Sequence, residues 1–210
     1  AVNSNDIPAI ADIDGDDDLD ILVFNFASGA VIQFHKNMSM ENNGNCNNLE
    51  YVRVSQKYGE LEECSCEEFA FNGDTCNDGG RVLHAGGKSI LAFDQDGDGD
   101  IDLVIGQEEC SDITILENKG NMSIPIFDSF SNLFPDSSTP LNLISFPTPF
   151  YEDVTFDGFK DIIVTPNLRS NPDGLIDNIN SNLLYTNDGT GSFDFVRSNF
   201  LQADMIDVGE

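Results

Sequence analysis

The 210-residue sequence predicts an all-β fold of short antiparallel strands, and three observations carry that prediction. Apolar residues come in short runs rich in Val, Ile, Leu and Phe, punctuated by Gly, Asn and Asp, which is the pattern of strands and turns. No segment sustains the 3.6-residue apolar period of a long helix. An acidic nine-residue segment also recurs three times, and each copy runs straight into an apolar, mostly β-branched run.

The copies are Asp12-Ile-Asp-Gly-Asp-Asp-Asp-Leu-Asp20, Asp94-Gln-Asp-Gly-Asp-Gly-Asp-Ile-Asp102 and Asp153-Val-Thr-Phe-Asp-Gly-Phe-Lys-Asp161. A short apolar or aromatic stretch precedes each, at 7–10, 90–93 and 146–151. The strands leaving them are 21–24, 103–105 and 162–165. A second alternating segment follows at 30–34, 113–116 and 182–185. A polar turn comes next (Lys36-Asn-Met-Ser39, Glu117-Asn-Lys-Gly120, Thr186-Asn-Asp-Gly189), then a last segment with Phe or Tyr. Each unit therefore reads as four strands, with the acidic loop between the first two. The loop spacing is irregular because a Cys-bearing insertion separates the first two units. Smaller insertions lie at 129–148 and around Asn171-Pro-Asp-Gly174.

Alternating carboxylates in so short a loop can wrap six to eight oxygens round one Ca2+ ion. In the second loop the expected ligands are the side chains of Asp94, Asp96, Asp98 and Asp102 with the Asp100 carbonyl. Gly97 and Gly99 permit the left-handed backbone that turns the oxygens inward. The first loop repeats this layout with Asp12, Asp14, Asp16, Asp18 and Asp20, and Asp17 stands where the second has Gly99. The third is poorer, with Thr155 replacing an acid between Asp153 and Asp157; the Phe159 carbonyl and Asp161 complete it. Without a cation such clusters repel, each pair of charges at ~4 Å costing roughly 1 kcal/mol in water. An EF-hand is excluded, because its twelfth position carries an acid on a helix. Here that position is Val23, Ile105 or Val164, inside a strand.

Charge and cysteine usage narrow the setting. With 38 Asp+Glu against 9 Lys+Arg the chain carries −29, which disfavours nucleic acid and anionic membranes as partners and favours cations. No apolar run approaches the ~20 residues of a membrane helix. Of the five cysteines, Cys46, Cys64, Cys66 and Cys76 crowd one polar stretch, which points to disulfides in an oxidising compartment. Cys64 and Cys66 are too close to pair with each other; Cys110 is the candidate to replace one of the four. A four-cysteine zinc site lacks its Cys-x-x-Cys knuckles.

Asp-x-Asp-Gly-Asp-x-Asp-x-Asp followed by Leu/Ile-x-Val, once per four-strand unit, resembles the FG-GAP/VCBS repeat that builds integrin-α-like β-propellers. The resemblance implies that each unit is one propeller blade with Ca2+ in its inner hairpin, up to three ions in all. The segments from His84 to Asp94 and from Asn199 to Asp207 are similar to VCBS proteins of Bacteroidetes, large secreted or surface proteins commonly exported by the type IX system. It follows that the expected organisation is a blade at 1–57, a Cys-rich insertion at 58–87, a blade at 88–130, a linker at 131–147, a blade at 148–200 and the start of a further blade at 201–210. Three blades are fewer than the four to eight of a closed ring, so the expected partners include the rest of a longer polypeptide.

The expected function is a non-catalytic, extracellular, bacterial scaffold for adhesion or ligand display toward a protein or glycan. A carbohydrate-binding or carbohydrate-active propeller and a passive spacer are the alternatives. Gly86-Gly-Lys-Ser89 ends like a phosphate-binding loop but has Val82 where that loop needs glycine, and a strand follows it. His35 and His84 have no recognisable nucleophile beside them. The sequons at Asn37 and Asn121 matter only in a eukaryotic source.

Overall fold

The computed structural model describes residues 4–76, 86–143, 145–167 and 180–202. Strand is the dominant structure, arranged in four antiparallel sheets. The first is a meander of β1 (Ala9–Ala11), β2 (Asp20–Phe24), β3 (Ile32–Asn37) and β4 (Tyr51–Ser55), joined in that order. A one-turn helix, α1 (Ser39–Asn43), interrupts the connection from β3 to β4 and ends on Gly44 in the left-handed conformation (φ 66°). The Cys-rich insertion folds as a 3-10 turn at Tyr58–Glu60 and a hairpin of β5 (Glu62–Ser65) and β6 (Glu68–Ala70). A three-stranded sheet follows, with β7 (Lys88–Phe93), β8 (Asp102–Gln107) and β9 (Ile113–Leu116). The last sheet is again a four-stranded meander of β10 (Pro147–Glu152), β11 (Asp161–Pro166), β12 (Leu183–Asn187) and β13 (Phe193–Arg197).

Apolar runs become inner strands because both of their faces are covered. Leu22, Val23 and Phe24 on β2 and Leu103, Val104 and Ile105 on β8 are all buried. By contrast β4 exposes Tyr51, Val52, Arg53 and Val54 and forms the outer edge of its sheet. The chain divides into two compact units, residues 1–105 with 115–130, and residues 106–114 with 131–210. In the first unit Leu22, Phe24, Ile32, Leu103, Leu116 and Phe127 pack into one core. Tyr58 lies in that core against Phe34 and Phe127, with ring centroids 5.6 and 6.2 Å away. In the second unit Phe193 packs edge-on against Phe134 at 5.6 Å, so the polar-looking linker supplies core residues.

The expected fourth strand of the middle unit does not form; residues 121–130 hold only an isolated bridge between Asn121 and Ile124. Pro125 cannot donate to a ladder. The chain instead turns on hydrogen bonds from the Lys119 N–H to the Ile126 carbonyl (2.7 Å) and from the Ile126 N–H to Asn118 Oδ1 (2.9 Å). That turn delivers Phe127 to the core.

Cys64 pairs with Cys76 (Cα–Cα 5.3 Å), and Cys66 and Cys110 are disulfide-bonded as well. Cys64 and Cys66 thus take different partners, as their spacing requires. Cys46, expected among the staples, is instead a free, exposed thiol, and Cys110 takes its place. His84, the Asn171–Gly174 insertion and most of the expected further blade at 201–210 lie outside the described residues.

Candidate metal centres

The three acidic loops are the β1–β2, β7–β8 and β10–β11 hairpins, and they share one hydrogen-bond scheme. The first aspartate caps the loop with both oxygens. Asp12 accepts from the Gly15, Asp16 and Asp17 N–H groups at 2.8, 3.1 and 3.0 Å. Asp94 accepts from Gly97 and Gly99 at 2.8 and 3.0 Å, and Asp153 from Asp157 and Gly158 at 3.3 and 3.1 Å. The fifth residue accepts from the seventh N–H, as in Asp16 to Asp18, Asp98 to Asp100 and Asp157 to Phe159.

Folding the chain this tightly needs left-handed backbone at the fourth and sixth positions. Gly15 and Asp17 supply it in the first loop, with φ of 80° and 71°, and Gly97 and Gly99 in the second, with 80° and 93°. In the third, Phe156 is forced to φ 61° beside Gly158 at 96°. Asp17 is therefore the compromise its sequence position suggested, and Phe156 is a costlier one.

The ninth aspartate ties the loop to the sheet. Asp20, Asp102 and Asp161 are essentially inaccessible. One oxygen of each accepts from the second position of its own loop: Ile13 at 3.1 Å, Gln95 at 2.8 Å and Val154 at 3.1 Å. The other accepts from an asparagine N–H at or just past the end of the unit's third strand: Asn37 at 2.8 Å, Asn118 at 2.7 Å and Asn187 at 3.1 Å. These asparagines, all buried, then use their own Oδ1 to hold the next turn, accepting from Glu50, from Gly120 and Ile126, and from Gly189. Sequence reasoning passed over them. Their signal was an Asn in each of the three matched polar turns.

Three groups of carboxylates lie with one oxygen of each residue within 4.8 Å of the others among the described residues: Asp12, Asp14 and Asp20; Asp14, Asp16 and Glu41; and Asp94, Asp96 and Asp102. The first and third are subsets of the expected ligand sets. The carboxylates of Asp153, Asp157 and Asp161 are not brought together in this way. Asp98 stands at the exposed rim, and Thr155 and Phe159 are exposed as well. Asp18 and Asp100, expected to contribute carbonyls, also turn their side chains inward (2% and 5% exposed).

The donor set fits a hard divalent cation, and the orphaned oxygens are the test. Asp14 Oδ1, Asp18 Oδ1 and Asp100 Oδ1 are buried with no hydrogen-bond partner, an arrangement that costs stability unless a cation satisfies them. Burial pushes the Asp20 and Asp102 carboxyls up to about 6 despite the N–H groups they accept from, and neighbouring aspartates add to the rise. Burial raises Asp18 and Asp100 too. The Tyr58 phenol, buried and without a hydrogen-bond partner, is raised by burial first and then by the charges of Asp100, Asp20, Asp14 and Asp102. It therefore lies within the field of both loops.

Lys36 is the exception to this negative field. Its ammonium bonds Asp14 Oδ2 and Glu41 Oε1 and stands 3.2 Å from Asp16 Oδ2. Glu41 comes from α1, outside the loop, and sequence reasoning did not place it in the site. Family models, curated proteins and solved structures offer no match to this chain.

Proposed function

We propose that this chain is a calcium-stabilised β-propeller segment of the FG-GAP/VCBS kind, serving outside the cell as a non-catalytic scaffold for adhesion or ligand display. The observation that carries the reading is the repeated hairpin loop. In two of its copies three of the loop's carboxylates converge within 4.8 Å of one another, and buried oxygens there lack a hydrogen-bond partner. Ca2+ would be held by Asp12, Asp14, Asp16, Asp18 and Asp20, and by Asp94, Asp96, Asp98, Asp100 and Asp102. Asp153, Thr155, Asp157, Phe159 and Asp161 form the weakest set. Bound metal supplies charge neutralisation and loop rigidity rather than chemistry on a substrate.

Blade architecture is supported by the meander order of the sheets and by the edge of the first sheet. The Ile7 N–H donates to the Lys88 carbonyl (2.8 Å), and the Ile90 N–H donates to the Ile7 carbonyl (3.0 Å). The segment just before β1 thus runs parallel to the start of β7, as the innermost strands of adjacent blades would. A secreted or surface location is supported by the two disulfides. No helix among the described residues is long and apolar enough to cross a membrane.

Calorimetric titration of chelator-stripped protein tests the reading. Saturable Ca2+ binding that Asp14→Ala and Asp96→Ala each reduce, and Asp157→Ala reduces least, is the expected result. Absence of saturable binding overturns it. A carbohydrate-binding reading is favoured by one feature, an open groove of about 600 Å³ beside the Cys64–Cys76 bridge. Phe69 and Phe71 line it and stack at 6.1 Å, with Asn72, Asp74 and Asp128 around them. Glycan-array binding lost in Phe69→Ala and Phe71→Ala would favour that reading.

A further inference from the structure

We propose that the first loop carries its own cation: the Lys36 ammonium fills a pocket formed by Asp14, Asp16 and Glu41, so that a divalent ion enters this loop only by displacing it, whereas the second loop takes its ion without that step. The inference rests on the calcium reading above and adds to it an order of filling and a means of setting it.

Lys36 bonds one of the oxygens that the first loop would offer to a metal, Asp14 Oδ2, and stands 3.2 Å from a second, Asp16 Oδ2, which is buried without a hydrogen-bond partner. The third wall, Glu41, is brought by α1, and α1 is itself docked on the loop by the Met40 N–H, which donates to Asp18 Oδ2 at 3.1 Å. Asp18 marks the same place independently. It is 2% exposed, its Oδ1 has no partner, and Asp16, Glu41 and Asp14 are the charges that bear on it. An ammonium on Asp14, Asp16 and Glu41 leaves that oxygen unserved. The pocket therefore has more negative oxygen than one lysine neutralises, which is what makes displacement by a doubly charged ion favourable.

The three turns can be aligned without ambiguity, because Asn37, Asn118 and Asn187 donate to the ninth aspartate of their loops in the same way. The residue before that asparagine is Lys36 in the first unit, Glu117 in the second and Thr186 in the third. At the second loop, Lys119 pairs with Glu117. At this matched position the two well-formed loops therefore carry side chains of opposite sign. A lysine stem is flexible and its ammonium is strongly hydrated, so release into water is available to Lys36, which already reaches the surface (side chain 18% exposed). The consequence is two classes of site. The second loop fills first, and the first loop is held in shape by Lys36 until the ion concentration is high enough to replace it.

The test compares calorimetric Ca2+ titrations of the wild-type chain and Lys36→Met. Wild type should show two affinity classes at least tenfold apart, and Lys36→Met should tighten the weaker class at least tenfold while leaving the stronger one unchanged. Unchanged affinities in Lys36→Met, or a weaker class that loosens, overturn the proposal while leaving the calcium reading standing. A wild-type chain that binds no Ca2+ overturns both. A second measurement needs no variant and decides the matter if Lys36→Met does not fold. Amine acylation of wild-type protein, mapped by mass spectrometry, should find Lys36 slow without Ca2+ and several-fold faster at saturating Ca2+. Equal or slower labelling with Ca2+ refutes displacement.

Discussion

Lowering the pH from about 7.5 to about 5 should stabilise the metal-free protein, the opposite of ordinary acid destabilisation. The responsible groups are Asp20 and Asp102, whose carboxyls are raised from 3.8 to about 6 in the folded chain. Because the folded state then binds protons that the unfolded state does not, stability is gained as pH falls through about 6 and lost as it rises through that value. A rise from 3.8 to about 6 is worth roughly 3 kcal/mol per group once the pH is below both values. Because pH 5 lies about midway between 3.8 and 6, about half of that is realised there, about 1–1.5 kcal/mol from each or roughly 2–3 kcal/mol together. Asp18 and Asp100 shift in the same sense and add to it. Asp16, Glu50, Asp136 and Asp188 are shifted downward, so their opposing effect falls mainly below the window; burial lowers His35 as well, and that single imidazole opposes the gain inside the window against four raised aspartates. Urea unfolding in chelator at the two pH values measures the difference. With saturating Ca2+ the trend should reverse, because the metal needs ionised ligands and its contribution shrinks in acid. Stability in chelator that is flat or falls between pH 7.5 and 5 refutes the reasoning.

Asn118→Ala strips the acceptor from two backbone N–H groups, those of Gly120 and Ile126. It should cost about 2–4 kcal/mol by denaturant titration and weaken the second loop's Ca2+ affinity. Phe156→Gly relieves a left-handed φ of 61° at a side chain that is 90% exposed; a gain of about 0.5–1 kcal/mol in thermal unfolding is expected. Tyr58→Phe removes a buried hydroxyl that has no partner, so stability should hold or rise by up to about 1 kcal/mol. The same change should abolish most tyrosine-sensitised luminescence of Tb3+ bound in the second loop while leaving Ca2+ titration intact; Tyr51, whose hydroxyl donates to the Leu19 carbonyl, still sensitises the first.

The sequence made the strands and loops legible because both are local. Alternating acids, left-handed Gly97 and Gly99, and the compromise at Asp17 can all be read from nearest neighbours, and each has its counterpart in the backbone. The missing fourth strand of the middle unit was also local, since Pro125 stands in it, but the pull of Phe127 into a core built by distant strands was not. Long-range partners escaped in the same way. Asn37, Asn118 and Asn187 look like ordinary turn residues until the sheet brings them over the ninth aspartate. Glu41 looks like a surface acid until α1 sets it against Lys36. Cysteine pairing failed for a related reason, since spacing forbids Cys64 from meeting Cys66 but does not select Cys110 over Cys46.

Thermal unfolding in chelator, in Ca2+ and in Mg2+ tests the central claim most directly. Two filled loops at a hundredfold excess over their dissociation constants contribute about 5 kcal/mol, which for a chain of this size is a rise of roughly 10–20 °C in Tm. Mg2+ needs a compact octahedron and sheds water reluctantly, so its curve should stay close to that of the chelated protein. A Ca2+ curve well above the other two is the predicted result, and three coincident curves would contradict the account.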